Sequence, residues 1–172
     1  MTADVAKAAA ALFVAAILQV TLLSQINVFH GAPDLVLVTL VCVALLRGTI
    51  FGAVAGFGVG LVVDTATLQT LGVTSLLLTI AGYWIGRYGE TTGRDRSHAP
   101  FVSVAVVTLL YSIGALILHY MLGDPASASR VLLDAFPFEL IFNLILTLPV
   151  YALCRRLFRP PPTGLEEVQL LG

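Results

Sequence analysis

The chain has 172 residues, of which 58% are hydrophobic and 11% charged, with a net charge of −1 and a mean hydropathy of +0.97. Soluble domains carry nearer 25% charged residues, so this composition excludes an ordinary soluble domain, and we expect no nucleic-acid partner. The length leaves room for one membrane domain and no separate soluble module. Two cysteines, Cys42 and Cys154, do not make a disulfide framework, and we expect them at different depths as small apolar side chains.

Six apolar stretches follow one another along the chain. They cover about residues 5–26, 32–46, 48–63, 71–86, 100–122 and 136–153. The first would reach about 33 Å as a helix, enough to cross a bilayer, and it lacks the short basic leader of a cleavable signal peptide. We therefore predict an all-α polytopic membrane protein with six transmembrane helices in residues 1–158, followed by a short disordered tail over residues 159–172.

Arg47 separates the second stretch from the third. Fusing the two would make one long span with this arginine near its centre, where a charge is costly. The sequence therefore predicts a tight helical hairpin that places Arg47 at one face of the membrane.

A stripe of small residues runs through the third stretch: Gly48, Gly52, Gly56 and Gly60 recur every four residues, and the next step reaches Asp64. In water each interior glycine would cost a helix roughly 1 kcal/mol against alanine. In a bilayer such a groove lets two helices approach closely. The stripe predicts tight helix packing, and its partner is either a helix of the same chain or a membrane helix of another protein.

The basic residues predict the orientation of the spans. With both termini in the cytoplasm, the inner side holds Lys7, Arg47, Arg87, Arg94, Arg96, Arg155, Arg156 and Arg159, and the outer side holds Arg130. Asp64 and Glu139 then lie near outer ends of spans, where each is either solvated at the interface or held in a defined polar contact. Asn143, one turn inside Glu139, would extend a polar stripe.

Motifs of catalysis are not evident. The sequence contains no GxxxxGK[ST] loop, HExxH motif or GxSxG elbow. His30 with Asp34 and His119 with Asp124 fall on the predicted outer side, where solvated interfacial residues explain them better than a metal site. We predict no catalytic residue, no cofactor and no metal.

Pro33 and Asp34 open the second stretch, as a proline in the first turn and an acidic group at a helix N-terminus should. The glycine stripe with Asp64, then Leu71-Gly72, then Tyr83 follow in order. From Pro33 to Tyr83 this order of motifs resembles the bacterial rod shape-determining MreD family.

The resemblance implies a non-enzymatic scaffold of the cell-elongation machinery in the bacterial inner membrane. Its partners would be an MreC-like bitopic protein, the RodA glycosyltransferase with its class B penicillin-binding protein, and MreB filaments. The resemblance also implies the fold of substrate-binding subunits of energy-coupling-factor transporters. A vitamin-type substrate-binding subunit is therefore the alternative, and a membrane enzyme comes third. Ala11-xxx-Ala15 fits the first-span contact motif of those subunits.

Under this interpretation the helix-packing or partner-binding residues are Pro33, Asp34, Gly48, Gly52, Gly56, Gly60 and Asp64.

Overall fold

The computed structural model describes residues 2–21, 33–67, 71–92, 98–121 and 136–158, which form helices and no strand. In chain order the helices are α1 (Thr2–Thr21), α2 (Leu35–Arg47), α3 (Thr49–Thr67), α4 (Val73–Thr92), α5 (Ala99–Met121) and α6 (Phe136–Leu157). The predicted all-α class is confirmed. The predicted tail over residues 159–172 lies outside the described residues, as do Arg94, Arg96 and Arg130 from the orientation argument.

Several helices continue past the apolar stretches that predict them. α4 runs on to Thr92 and α6 to Leu157, because polar residues such as Arg87 and Arg155 continue a helix as well as apolar ones do. Within the described residues, three helical segments are long and apolar enough to cross a membrane: Thr49–Thr67, Ala99–Ile117 and Phe136–Leu157. Val5–Thr21 and Leu35–Arg47 are shorter apolar helices.

The helix α2 lies at the centre of the fold. It packs against all five other helices, which surround it in the order α1, α3, α4, α5 and α6, each touching the next. Every residue from Val36 to Leu45 is buried, and all but Thr39 of these are apolar. A helix that is apolar on all sides is stable only when it is enclosed. With 13 residues it spans about 20 Å, so it is the shortest element of the bundle.

The break between α2 and α3 falls at Gly48, beside Arg47 as the sequence predicts. Gly48 has a φ of +97°, which favours glycine, and its N–H donates to the carbonyl oxygen of Ala44 at 2.8 Å. The Arg47 guanidinium lies 4.9 Å from the centre of the Phe158 ring, a cation–π contact. The last turn of α2 is thereby held against the end of α6.

The two cysteines are not at different depths, and that prediction is wrong. Both are buried and free, and their side chains are neighbours in the same cluster of the core. Cys42 is five residues from the end of α2, and Cys154 is three residues from the end of α6. Because α2 is short and both helices end at the same side, the two side chains meet near that side.

Candidate helix-packing and partner-binding site

The glycine stripe of α3 faces α4. A Cβ atom added to Gly52 would overlap the carbonyl oxygen of Gly82, and one on Gly56 would overlap the carbonyl of Leu78. A Cβ atom on Gly60 would meet the backbone of Ser75. The two backbones therefore touch along the stripe, and its partner is a helix of the same chain.

α4 contributes small residues of its own, which the sequence analysis missed. Gly82 and Gly86 lie against the backbone of Gly52 and Gly48, and Gly89 lies against Leu45 of α2. The four-residue spacing of Gly82 and Gly86 was a signal for this second stripe. A stripe on each helix explains why α3 and α4 form the most extensive helix pair in the bundle.

Carboxylates close both ends of the α3–α4 pair. The fully buried Asp64 carboxylate, near the end of α3, accepts hydrogen bonds from the N–H groups of Gly72 at 2.8 Å, Thr74 at 3.3 Å and Ser75 at 3.4 Å. A carboxylate at a helix N-terminus satisfies free donors and complements the helix dipole. Asp64 is thus held in a defined polar contact and not solvated.

Glu90 makes the reciprocal contact at the other end. Its carboxylate, near the end of α4, accepts from the Thr49 N–H at 2.8 Å and the Thr49 hydroxyl at 2.6 Å. Each helix of the antiparallel pair therefore carries the acid that caps the start of the other. Glu90 was not a predicted site residue, because its partner is known only once the two helices are paired.

Asp34 caps the central helix. Its carboxylate accepts from the Leu37 N–H at 2.9 Å, the usual bond of an N-terminal cap, and the buried Pro33 precedes it. Its own N–H donates to the side-chain oxygen of Asn143 in α6 at 2.8 Å.

The first turn of α2 also binds a side chain of α1, because the N–H of Val36 donates to the side-chain oxygen of Gln19 at 2.8 Å. Neither Gln19 nor Thr108 was a predicted site residue. The Asn143 amide donates to the Thr108 hydroxyl in α5 at 3.1 Å. Groups from α1, α5 and α6 thus converge on the first turn of α2. An isolated glutamine inside an apolar stretch was the available sequence signal.

Glu139 lies in the first turn of α6, where it is half-buried near Ser112 of α5. Within the described residues no group of three or more His, Cys, Asp or Glu side chains could hold a metal ion.

A groove of about 1000 Å³ opens between α1 and α3, and Arg47 of α2 and Glu90 of α4 also line it. Its walls are apolar side chains such as Phe13 and Val54, and small residues, Ala9 and Gly58 among them, form part of its surface. A Cβ atom added to Gly58 would find no neighbour within 4 Å. This α1–α3 groove is open space beside a tightly packed helix pair.

Gly56→Leu should destabilise the fold, because its side chain would separate α3 from the α4 backbone. Overpacking of this kind costs about 1–3 kcal/mol, and we expect a lower melting temperature of the purified protein in detergent. Gly58→Leu, two residues away in open space, is the matched control and should melt as the wild type does. Equal melting of all three proteins would contradict tight packing along the stripe.

Asp64→Leu should lower the free energy of unfolding by about 1–3 kcal/mol, because the N–H groups of Gly72 and of the first turn of α4 lose their acceptor. Asp64→Asn keeps one acceptor oxygen but loses the charge and the second acceptor, so its cost should lie between zero and that of leucine, at about 1 kcal/mol. Thermal unfolding in detergent measures both. If leucine and asparagine are equally tolerated, the carboxylate does not hold the helix pair together.

The match to a known family comes from nearly the whole folded bundle. The family described as rod shape-determining protein MreD matches residues 7–157, from the second turn of α1 to the last residue of α6. No curated protein and no solved structure matches the chain, so the expected likeness to transporter subunits gains no support. The match spans all six helices, including both caps of the α3–α4 pair, and the chain therefore belongs to the rod shape-determining protein MreD family.

Proposed function

We propose that this protein is a non-enzymatic membrane scaffold that supports peptidoglycan synthesis during cell elongation by binding an MreC-like partner. The family match over residues 7–157 carries the proposal, since membership implies a role in rod shape determination. The backbone contact and reciprocal caps of α3 and α4 hold these two helices together as one unit beside which a partner can dock.

We further propose that all six helices cross the inner membrane, with both termini in the cytoplasm. Three segments are long and apolar enough by themselves. α4 is more polar, but it contacts α3 from Ser75 to Gly86 and would cross together with it. α2 is short, and the side chains that bind its first turn replace the water it would otherwise need.

The partner helix has a candidate position in the α1–α3 groove. The glycine face of α3 is already covered by α4, so a partner must use another face. A helix is about 10 Å wide, and a 10 Å length of it fills about 800 Å³, which the groove of about 1000 Å³ can receive. Gly58 and Ala9 would let the incoming backbone approach closely.

The alternative of a vitamin-type binding subunit is less well supported. Such a subunit needs polar side chains directed at a solute. Here the side chains of Gln19, Asp34, Asp64 and Asn143 bind backbone N–H groups of the chain itself. These side chains therefore hold the chain's own helices together and are not directed at a solute.

Topology is tested by labelling single cysteines in a background without Cys42 and Cys154. The expected result is that Leu71→Cys, in the exposed turn before α4, reacts with an impermeant thiol reagent in intact cells. His98→Cys, in the exposed turn before α5, should react only after the membrane is opened. Labelling of His98→Cys from outside would reject six spans with a cytoplasmic N-terminus.

Function is tested by depletion and replacement in a rod-shaped host. Depletion should make the cells round, and an unchanged shape with loss of uptake of one small molecule would instead favour the transport alternative. Gly58→Leu should stay folded but recover several-fold less MreC-like protein on affinity purification, because leucine obstructs the α1–α3 groove. Ala152→Leu, exposed on α6, is the control, and equal partner recovery from both variants would exclude the groove as the docking surface.

A further inference from the structure

A second pocket lies between α4 and α5, on a different side of the bundle from the α1–α3 groove. Its volume is about 290 Å³, and apolar side chains such as Ile80, Ala81 and Val106 line most of it. Trp84 and Tyr88 of α4 stand along its wall. At this volume it is too small for a helix, which needs about 800 Å³ for each 10 Å of length, but a single alkyl chain fits.

One hydroxyl group in the wall of this pocket makes no hydrogen bond within the described part of the chain. Ser103 of α5 lines the pocket and is 3% exposed, and its hydroxyl has no hydrogen-bond partner among the described residues. Hydroxyls in helices commonly donate to the carbonyl four residues earlier, as Thr79 and Thr147 do here at 2.6 Å. Ser103 does not, which leaves a buried donor without an acceptor in the wall of the pocket.

The depth of Ser103 indicates which acceptor it would meet. It lies four residues after Ala99, the first residue of α5, or about 6 Å along the helix from its cytoplasmic end in the proposed topology. This is the boundary between headgroups and hydrocarbon, where Trp and Tyr rings such as those of Trp84 and Tyr88 are favoured. The ester carbonyls of phospholipids occupy the same level.

The length of the pocket agrees with a lipid chain. Along α5 it extends from Val102 to Tyr111, about 14 Å, and half of a hydrocarbon core is about 15 Å. We propose that the pocket between α4 and α5 binds one acyl chain of a phospholipid of the cytoplasmic leaflet, with the Ser103 hydroxyl donating to the ester carbonyl of that chain. This inference rests on the proposed crossing of the membrane by α4 and α5.

The test uses the full-length protein reconstituted in phosphatidylglycerol vesicles that contain a trace of a photoreactive lipid. The reactive group is carried on the chain of either a diacyl ester lipid or the matching dialkyl ether lipid, which lacks the carbonyl. After illumination, mass spectrometry maps the labelled residues. Label on Ile145, which is exposed on α6, reports that the protein lies in the bilayer and serves as the reference.

We expect more label at Ile80 and Val106 than at Ile145. This enrichment should be about fivefold greater for the ester lipid than for the ether lipid, a ratio that corresponds to the free energy of one hydrogen bond. In Ser103→Ala this difference should disappear, and in Ala81→Leu the enrichment itself should fall. Ala152→Leu is the matched control for the added leucine and should behave as the wild type.

Equal labelling of the wild-type pocket by ester and ether lipids would overturn the hydrogen bond, as expected if Ser103 instead turns to the Ala99 carbonyl. Label at Ile145 without enrichment in the pocket would overturn the lipid site while leaving the membrane topology intact. Absence of label from Ile145 as well would reject the topology itself. Comparing ester and ether lipid labelling of the wild-type protein tests the proposal even if Ala81→Leu does not fold.

Discussion

A helix that starts inside a protein, away from water, must find acceptors for its first N–H groups, and the arrangement around α2 follows from this requirement. Asp34 supplies one acceptor, Gln19 of α1 another, and Asn143 of α6 a third for the cap residue itself. Thr108 of α5 then fixes the Asn143 amide. The central helix can be enclosed on all sides only because its neighbours bring these polar groups to one level.

The first N–H groups of α3 and α4 find their acceptors in a different way. Here each helix carries, near its end, the carboxylate that caps the start of the other, Asp64 in one direction and Glu90 in the other. Between these caps the contact is backbone against backbone, which dispersion at short range stabilises in the absence of a hydrophobic driving force. The two helices therefore form one unit, and the part of α3 that borders the α1–α3 groove remains open for other contacts.

Periodicity and composition were sufficient to predict the all-α class, the break at Arg47 and the close packing at the glycine stripe. They did not identify α4 as the partner, because an i+4 stripe describes one surface and carries no information about what covers it. For the same reason Glu90 and Gln19 were missed: their roles depend on which helix ends meet in space. Cys42 and Cys154 were placed at different depths because Cys42 was counted as lying mid-segment, whereas α2 ends only five residues after it, beside the end of α6.

The meeting of Gly52 with Gly82 has a consequence for how this sequence can evolve. Usually a larger residue on one helix is accommodated when the facing residue becomes smaller. Here a Cβ atom on either glycine would meet the main chain of the other, and no side chain remains to be reduced. A substitution at either position therefore cannot be compensated by a change at the other. Among related sequences, both glycines should vary less than the apolar residues around them, and neither should co-vary with the other.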